Sequence, residues 1–571
     1  MRQRGTLFLS AVLAGIAGTD IPASAQSFPG TDGAARAVER ENRAFGESQD
    51  ERRMRQSDRA PASGQPETTP AQASPAPGGP CFQIRSIILQ GFEAFSEKPE
   101  GYDRLVGTCA TAADIAGSLN TINEYYRAEG YITTRAYVPE QDVADGSLEI
   151  TIVPGRLEGY VYADGRQADN RIRAAFPGSR GDLLSLRELE QGLDNINGPR
   201  SARATFELIP GEEAGGSFVQ VKLEETKPWY FEFGINNDGY DSTGEAEAGI
   251  SFGYDNLFGL NDQLNIEASS TLLEDRSQKY ADSFAVSWSV PYRNWLFSID
   301  GGASPYFFVV PGINESYPLE GESYYVSADA ERLLARGQSF RLYGYGGLKL
   351  TRTRTFIDSY EIETQRRHLT IGSLGLRGDV RYVEDRMDWE LGMVFGVDAL
   401  DAYVFDKSIV DPNFALIEGE FNYRHEFGDS GVAYIGQLVG QYSSDVLPGI
   451  EQFSIGSWST VRGFHDDSMY GDSGFYLRNT LEWNAYENDS FSVALNAGLD
   501  AGYVAPSTLR QWSQNYLVGA SLGADFAFGD HVTARLAVGQ ALSRPDTNPP
   551  NAEPAFEAAR TVFYADMNVR F

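Results

Sequence analysis

The stretch that decides the fold is residues 515–529, NYLVGASLGADFAFG. Every second residue from Tyr516 to Phe526 is apolar, whereas the residues between them, from Leu517 to Asp525, are mostly small or polar. Successive side chains of a β-strand point to opposite faces, so this strand has one apolar face and one closely packed polar face. That pattern is typical of a transmembrane β-strand, with the apolar face toward lipid and the polar face toward the lumen of a barrel.

The same alternation recurs between Trp229 and Phe571. In residues 474–484, GFYLRNTLEWN, apolar side chains such as Leu481 alternate with polar ones such as Arg478. We count roughly sixteen such segments, an even number that suits a bacterial outer-membrane barrel. A soluble β-sandwich would also alternate, with its apolar side inward. The lack of any signal for a second layer favours a 16-stranded antiparallel transmembrane β-barrel over residues 229–571.

Composition excludes other classes of protein. The 571 residues include 60 glycines, and Phe, Trp and Tyr make up 12% of the chain. After residue 25 no apolar run approaches the length of about 18–20 residues that a transmembrane helix needs. The net charge of −33 argues against a nucleic-acid partner, because binding nucleic acid requires a basic face.

The N-terminal eighty residues divide into three segments. Residues 1–25 form a signal peptide, with basic residues at its start, a short apolar run and the small-residue cleavage site Ala-Ser-Ala. A buried N-terminal helix is the alternative. Residues 26–59 predict a helix that is polar on all sides and therefore either solvated or placed in a wet cavity. Residues 60–80 are rich in Pro, Ala and Ser and predict an extended linker.

Two mixed α/β modules follow, over residues 81–154 and 155–228, each with the order strand–helix–strand–strand. Ile115, Leu119, Ile122 and Tyr126 recur at helical spacing in the first.

The second module predicts a helix from Ser185, capped by a Ser185–Glu188 box. Its strand at residues 216–225 and its first strand could add a strand to an incoming peptide. Modules that only brace the barrel are the alternative.

The two cysteines, Cys81 and Cys109, suit a single disulfide in the oxidising periplasm. A pair of free buried thiols is the alternative.

The motifs of common enzymes are missing from the sequence. None of the four histidines belongs to an HExxH motif, and we find no GxSxG or Walker motif. The adjacent carboxylates Asp466 and Asp467 are more typical of solvated loop charges than of metal ligands. We expect no catalytic residue, no metal and no cofactor.

The stretch 456–465, GSWSTVRGFH, interrupts the strand pattern and carries Arg462. Alternation in residues 491–504 places Asp500 on the lumen side of its strand, with Gly498 and Gly502 in the same phase. Arg462 could therefore fold inward and contact Asp500. An exposed arginine paired with Asp466 or Asp467 is the alternative, and the residues alone do not decide between them.

The chain resembles the TpsB transporters of two-partner secretion, the ShlB/FhaC/HecB group. The resemblance covers nearly the whole mature chain, and its most specific stretches are residues 81–95, 130–159, 186–197, 258–264 and 451–464. It implies that the modules are POTRA domains, that the barrel has sixteen strands and that the helix at 32–59 plugs the pore. It places Val461, Arg462, Gly463 and Phe464 at the tip of a loop folded into the lumen, facing a wall motif at residues 498–502. It thereby favours the inward contact of Arg462 with Asp500.

The function implied by this resemblance is export of a large secreted protein, of haemolysin or adhesin type, from the periplasm to the cell surface without nucleotide hydrolysis. The POTRA modules would bind the TpsA-type partner in the periplasm, and a monomeric barrel would sit among outer-membrane lipids. A barrel-assembly factor of the same superfamily is one alternative. A small-solute channel is another, although tandem α/β modules would have no evident use in it.

Overall fold

The computed structural model describes residues 80–311, 315–405, 407, 410–465, 469–506, 514–543 and 561–571. The predicted signal peptide, the predicted plug helix and residues 60–79 of the linker lie outside the described residues. So do Asp466 and Asp467. Among the residues described, no helix combines the length and hydrophobicity needed to cross a membrane.

The first module packs one helix against a three-stranded sheet of order β2-β5-β4, and Ile122 and Tyr126 on the helix are buried against Leu148 and Ile150. Its elements are β1 (Phe82–Gln83), β2 (Ser86–Gln90), β3 (Cys109–Ala110), α1 (Ala112–Ala128), β4 (Arg135–Tyr137) and β5 (Ser147–Val153).

Two local features hold the start of α1 in the first module. Thr111 and Asp114 form a reciprocal capping box, which satisfies two backbone N–H groups that a helix start leaves without partners. Cys109, in the short strand before the helix, is joined to Cys81 by a disulfide. The disulfide therefore ties the start of the module to the region just before its helix.

The second module repeats the arrangement with a sheet of order β6-β8-β7. Leu189, Leu193 and Ile196 form the buried face of its long helix and pack against Val219 and Val221 of the sheet. The elements are β6 (Arg156–Tyr162), α2 (Asn170–Ala175), α3 (Leu186–Asn197), β7 (Ala202–Pro210) and β8 (Gly216–Glu225).

One prediction about the second module is wrong, and another is wrong in part. Ser185 is the N-cap of α3, but its side chain makes no capping hydrogen bond. The first helical N–H, that of Leu186, donates to the carbonyl of Gly130 in the first module at 2.8 Å. Strand β8 cannot accept an incoming strand, because it is the central strand of its sheet and is paired on both sides. The other strand named in that prediction, β6, does lie at an edge of the sheet.

The barrel is closed and contains sixteen long antiparallel strands, which confirms the predicted fold class. It closes where the last strand pairs with the first, from Asp566 opposite Asn236 to Arg570 opposite Glu232. The sixteen strands are β9 (Trp229–Asn236), β10 (Glu247–Asp255), β11 (Gln263–Thr271), β12 (Lys279–Tyr292), β13 (Trp295–Pro311), β14 (Ser316–Arg336), β15 (Phe340–Ile357), β17 (Arg367–Arg381), β18 (Asp385–Gly396), β20 (Ala415–Glu426), β21 (Val432–Tyr442), β24 (Gly474–Asn488), β25 (Phe491–Val504), β26 (Tyr516–Phe528), β27 (Val532–Ala541) and β28 (Thr561–Arg570). Four short strands complete the fold: β16 (Tyr360–Glu361), β19 (Tyr403–Val404), β22 (Phe453–Ile455) and β23 (Met469–Gly471).

The two ends of the barrel differ. Short turns join the strands at the end that carries the second module, including the turn between β12 and β13 and the turn between β14 and β15. Longer connections lie at the opposite end, and the segment between β21 and β24, residues 443–473, is among the longest. Transmembrane barrels keep short turns on the periplasmic side and long loops outside, so the end with the modules is the periplasmic end.

Candidate functional site in the barrel lumen

The segment 443–473, which we call the inner loop, folds back against the inside of the barrel wall in its described parts, residues 443–465 and 469–473. Strands β22 and β23 pair as an antiparallel hairpin within this loop, from Phe453 opposite Gly471 to Ile455 opposite Met469. The tip of the hairpin contains Arg462. Thr460 holds the turn before it, because its hydroxyl oxygen accepts the backbone N–H groups of Gly456 and Ser457.

Arg462 and Asp500 form a buried, bidentate ion pair. Arg462 Nε donates to Asp500 Oδ2 at 2.6 Å, and Arg462 Nη2 donates to Asp500 Oδ1 at 2.6 Å. Only 3% of the Arg462 side chain and 0% of the Asp500 side chain are exposed. Two parallel charge-assisted hydrogen bonds fix the position of a guanidinium as well as binding it. The structure thus brings together the loop arginine and the wall carboxylate singled out in the sequence.

Backbone groups complete the contact around Asp500. The backbone N–H of Arg462 donates to Oδ2 at 3.1 Å, and the backbone N–H of Asn479 donates to Oδ1 at 3.2 Å. Arg462 Nη2 also donates to the carbonyl of Asn479 at 3.1 Å. The loop tip is consequently tied to two wall strands, β24 and β25.

Glycines on the wall make the close approach possible. A Cβ atom at Gly498 would lie 2.5 Å from Arg462 Cζ, and one at Gly502 would lie 2.9 Å from Val461 Cγ2. On the next strand, a Cβ at Gly519 would lie 1.7 Å from the carbonyl oxygen of Arg462. Any side chain at these positions would push the loop tip off the wall.

Gly463 continues the contact to the closing strands of the barrel. Its φ of +104° lies in the region that favours glycine, and an added Cβ would lie 2.6 Å from the Gln540 carbonyl group. The Gly463 backbone N–H donates to the Tyr564 hydroxyl at 3.1 Å, and that hydroxyl donates to the carbonyl of Phe464 at 2.6 Å. The tip therefore spans the wall from β24 to the last strand.

Apolar contacts seal the same part of the loop. Val461 and Phe464 of the tip, with Phe453 and Ile455 of the hairpin, are buried against side chains of the wall strands such as Leu517. Burial of this apolar surface against the wall favours the inward position over an exposed loop.

The base of the inner loop reaches other parts of the wall. Leu447 and Ile450 pack in a cluster with Ile371 of β17 and Leu416 of β20. Glu451 forms an ion pair with Lys349 of β15 at 3.3 Å. The loop accordingly crosses the lumen and is not simply attached along one side.

A polar cavity of about 860 Å³ lies between the inner loop and the second module. Asn197, Arg200 and Arg203 of the module line one part of it, and Glu451 and Gln452 of the loop line another. The part of the lumen beneath the loop is thus contiguous with the periplasmic module.

The second module is docked on the periplasmic turns of the barrel. Arg336 Nη1 donates to Asp194 Oδ2 of α3 at 2.6 Å, and Arg341 lies 3.5 Å from the same carboxylate. Asn195 of α3 donates to the carbonyl of Arg293 at 2.7 Å. Burial raises the pKa of Asp194, while the neighbouring arginines oppose this rise.

A second contact joins the module to the turn between β10 and β11. Arg171 of α2 donates from Nε to Asn261 Oδ1 at 2.6 Å. The backbone N–H of Ser201 donates to Asp255 Oδ2 at 2.9 Å. Residues 186–197 and 258–264, two of the stretches that carry the resemblance, therefore both contribute contacts between the second module and the barrel.

Sequence reasoning missed three of the groups that hold the loop tip: Asn479, Gly519 and Tyr564. The sequence could have indicated Tyr564, because it is an aromatic residue in the lumen phase of the last strand, where small or polar residues are usual. The described residues contain no group of three or more His, Cys, Asp or Glu side chains that could hold a metal ion.

Comparison with known proteins gives matches over most of the chain. Residues 215–526 match the family model described as haemolysin secretion/activation protein ShlB/FhaC/HecB. Residues 82–155 match a POTRA domain of ShlB type, and residues 156–210 match a POTRA domain.

Relatives with curated names cover similar lengths. The outer membrane transporter CdiB of Dickeya dadantii is 29% identical over 83% of this chain and 86% of its own length. The hemolysin transporter protein ShlB of Serratia marcescens is 28% identical over 75% of this chain and 76% of its own. The solved structure of CdiB from Escherichia coli superimposes with a TM-score of 0.81 at 25% identity, covering 96% of this chain and all of that one.

Proposed function

Because the chain belongs to the ShlB/FhaC/HecB family of haemolysin secretion/activation proteins, we propose that it exports one large secreted partner protein of haemolysin or adhesin type. The chain is an outer-membrane transporter of two-partner secretion, with its POTRA modules in the periplasm. The partner passes from the periplasm to the cell surface through the barrel. Export through a pore needs no chemical step, and this proposal assigns no catalytic residue.

The observation that carries the proposal is the inner loop, held across a wet lumen by the Arg462–Asp500 pair. The polar cavity beneath the loop is lined by groups of the second module and of the loop itself. An extended polypeptide leaving the module can enter this space without meeting an apolar barrier. We propose that the ion pair fixes the loop tip while the partner passes, so that the path keeps a defined shape.

Capture of the partner is assigned to the edges of the POTRA sheets. Strand β2 is an edge strand of the first module, paired with β5 on one side only. An edge strand offers backbone N–H and C=O groups to an extended peptide, which can add as a further strand. In the second module the edge of β7 is partly occupied, because the side chain of Asn197 bonds both backbone groups of Ala204. The β2 edge of the first module is therefore more open than the β7 edge of the second.

Co-expression in a surrogate bacterium tests export against the rival role in barrel assembly. The chain and a candidate partner encoded beside it are expressed together, and the partner is measured in the medium and in the periplasm. The proposal predicts partner in the medium only when the chain is present, with unchanged amounts of unrelated outer-membrane barrels. Depletion of those barrels without any effect on the partner would favour an assembly factor.

A further inference from the structure

Basic side chains cluster on the outer surface of the barrel wall, near the end opposite the modules. Arg352 and Arg354 belong to β15, and His368 belongs to the neighbouring strand β17. The register of the two strands places His368 directly opposite Arg352. The chain as a whole has 80 acidic and 47 basic residues, so a cluster of basic residues on the wall is unusual for this chain.

The alternation of β15 places both arginines on the outside. Lys349 contacts Glu451 of the inner loop and therefore points into the lumen. Residues with odd numbers continue this inward phase, and Thr351, Thr353 and Thr355 are buried. Their even-numbered neighbours face outward, as the 43% exposure of Leu348 shows. The register with β17 runs without a shift through this part of the strand.

Arg352 and Arg354 lie at the height of the outer edge of the apolar band. Strands rise about 3.4 Å per residue and tilt by roughly 40° in such barrels, so Arg352 lies about 26 Å from Leu342 along the membrane normal. The apolar band of an outer-membrane barrel is roughly 25 Å tall and is bordered by aromatic residues. Tyr324, outward-facing and exposed, lies opposite Arg352 on β14. Arg352 thus lies level with a tyrosine of the aromatic border, next to the outer-leaflet headgroups.

The charges of this cluster are only partly balanced by the protein. Arg352 forms no ion pair with any of the residues that the structure describes. Arg354 reaches Glu322 only at 3.9 Å, and 48% of the Arg354 side chain and 33% of the Glu322 side chain are exposed. The nearby Arg366, in contrast, is held bidentately by Glu361 at 2.6 and 2.5 Å. The cluster can therefore accept an anion without first breaking a strong pair.

We propose that Arg352 and Arg354 bind a phosphate group of lipid A, the phosphorylated glycolipid of the outer leaflet, beside the partly buried His368. Guanidinium groups match phosphate oxygens with two parallel hydrogen bonds, and two neighbouring arginines can bind one phosphate together. The acyl chains of the same lipid would lie against the apolar face of β15 below Arg352. The site attaches one side of the barrel to a specific lipid of the membrane it occupies.

The test uses the full-length protein purified in detergent and measures lipid binding by native mass spectrometry. The variant is Arg352→Gln with Arg354→Gln, and the matched control is Arg332→Gln. Arg332 is an exposed arginine of β14 that lies over the Trp295 ring at the periplasmic end of the wall. Heat-modifiability on gels verifies that each barrel is folded.

The proposal predicts that the wild-type protein and the Arg332→Gln control bind diphosphoryl lipid A equally, while the double variant binds it about tenfold or more weakly. Dephosphorylated lipid A should bind the wild-type protein as weakly as diphosphoryl lipid A binds the double variant. Equal affinity of the double variant and the wild-type protein for diphosphoryl lipid A would overturn the proposal. Displacement of lipid A by millimolar inorganic phosphate would overturn the assignment to a lipid and indicate a site for free phosphate.

Discussion

Asp500 accepts three hydrogen bonds from Arg462, two from the guanidinium and one from the backbone N–H. A fourth comes from the backbone of Asn479. Both carboxylate oxygens are therefore saturated, and a buried charge is fully paired. Removing one partner of such a pair leaves the other charge buried and unpaired, which costs about 3–5 kcal/mol in a dry interior and less where water can enter. We expect the pair to fix the position of the loop tip, and we expect the barrel strands to close without it.

A side chain at Gly519 should displace the loop tip as effectively as loss of the ion pair. The Cβ of a Gly519→Ala variant would lie 1.7 Å from the Arg462 carbonyl oxygen, a distance that forces either the wall or the tip to move. We expect folded barrel in the membrane and strongly reduced export of the partner. Gly249→Ala is the control, since its Cβ would lie 3.8 Å from the nearest atom. Normal export by the Gly519→Ala variant would count against a tip fixed on this wall.

The Tyr564 hydroxyl should contribute measurably to retention of the tip. A Tyr564→Phe variant leaves the N–H of Gly463 and the carbonyl of Phe464 without their partner, at a cost of about 1–3 kcal/mol. A Val461→Cys reporter can follow the tip, because Cys81 and Cys109 are disulfide-bonded and Val461 is buried. We expect its labelling by a maleimide to be about tenfold faster in the Tyr564→Phe background. The lipid-side variant Tyr503→Phe should leave the labelling rate unchanged. Equal rates in all backgrounds would mean that the Tyr564 hydroxyl does not help to hold the tip.

The carboxylate of Asp194 should hold the second module on the barrel. Its two arginine neighbours, Arg336 and Arg341, lie at the periplasmic ends of β14 and β15. In an Asp194→Asn variant of the full chain, we expect faster backbone hydrogen exchange in α3 and reduced export. The exposed carboxylate of Glu207 on β7 supplies the control, Glu207→Gln. Identical exchange in the two variants would mean that these pairs do not hold the module.

Loss of the disulfide should weaken the first module. The bond closes a segment with a sequence separation of 28, for which the chain-entropy argument gives a stabilisation of about 3–4 kcal/mol. A variant with Cys81→Ser and Cys109→Ser should therefore be cleaved within the module by protease at a lower temperature than the wild-type protein. Thiol titration of the purified wild-type protein after denaturation without reductant is the direct check. Two free thiols would contradict the bond.

The barrel could be predicted from the sequence because its signal is local. Alternation within residues 515–529 depends only on the two faces of one strand, and lipid selects one face throughout. The order of strands in the second module has no such signal. Nothing in residues 216–225 indicates that β8 lies between β6 and β7, since a central strand and an edge strand of this sheet alternate alike. The hydrogen bond from the Leu186 N–H to Gly130 has no local signal either, because its acceptor lies in another module.

The site could be predicted only in part. The phase of β25 places Asp500 in the lumen, but the residues alone left Arg462 with three possible partners: Asp500, Asp466 and Asp467. Gly519 and Tyr564 are 57 and 102 positions from Arg462 in the chain. Their contact with the tip depends on the relative heights of strands around the closed barrel, which follow from register and tilt and not from residue type.

Export of the partner by an Arg462→Ala variant tests the central claim most directly. The measurement is partner protein in the culture medium, normalised to folded, heat-modifiable barrel in the outer-membrane fraction. Arg377→Ala serves as the control, because Arg377 pairs with Glu331 on the wall away from the inner loop. The account predicts that Arg462→Ala leaves barrel assembly intact and strongly reduces export, with Asp500→Ala giving the same result. Wild-type export by Arg462→Ala would mean that this arginine is only a loop charge, and the account would be wrong.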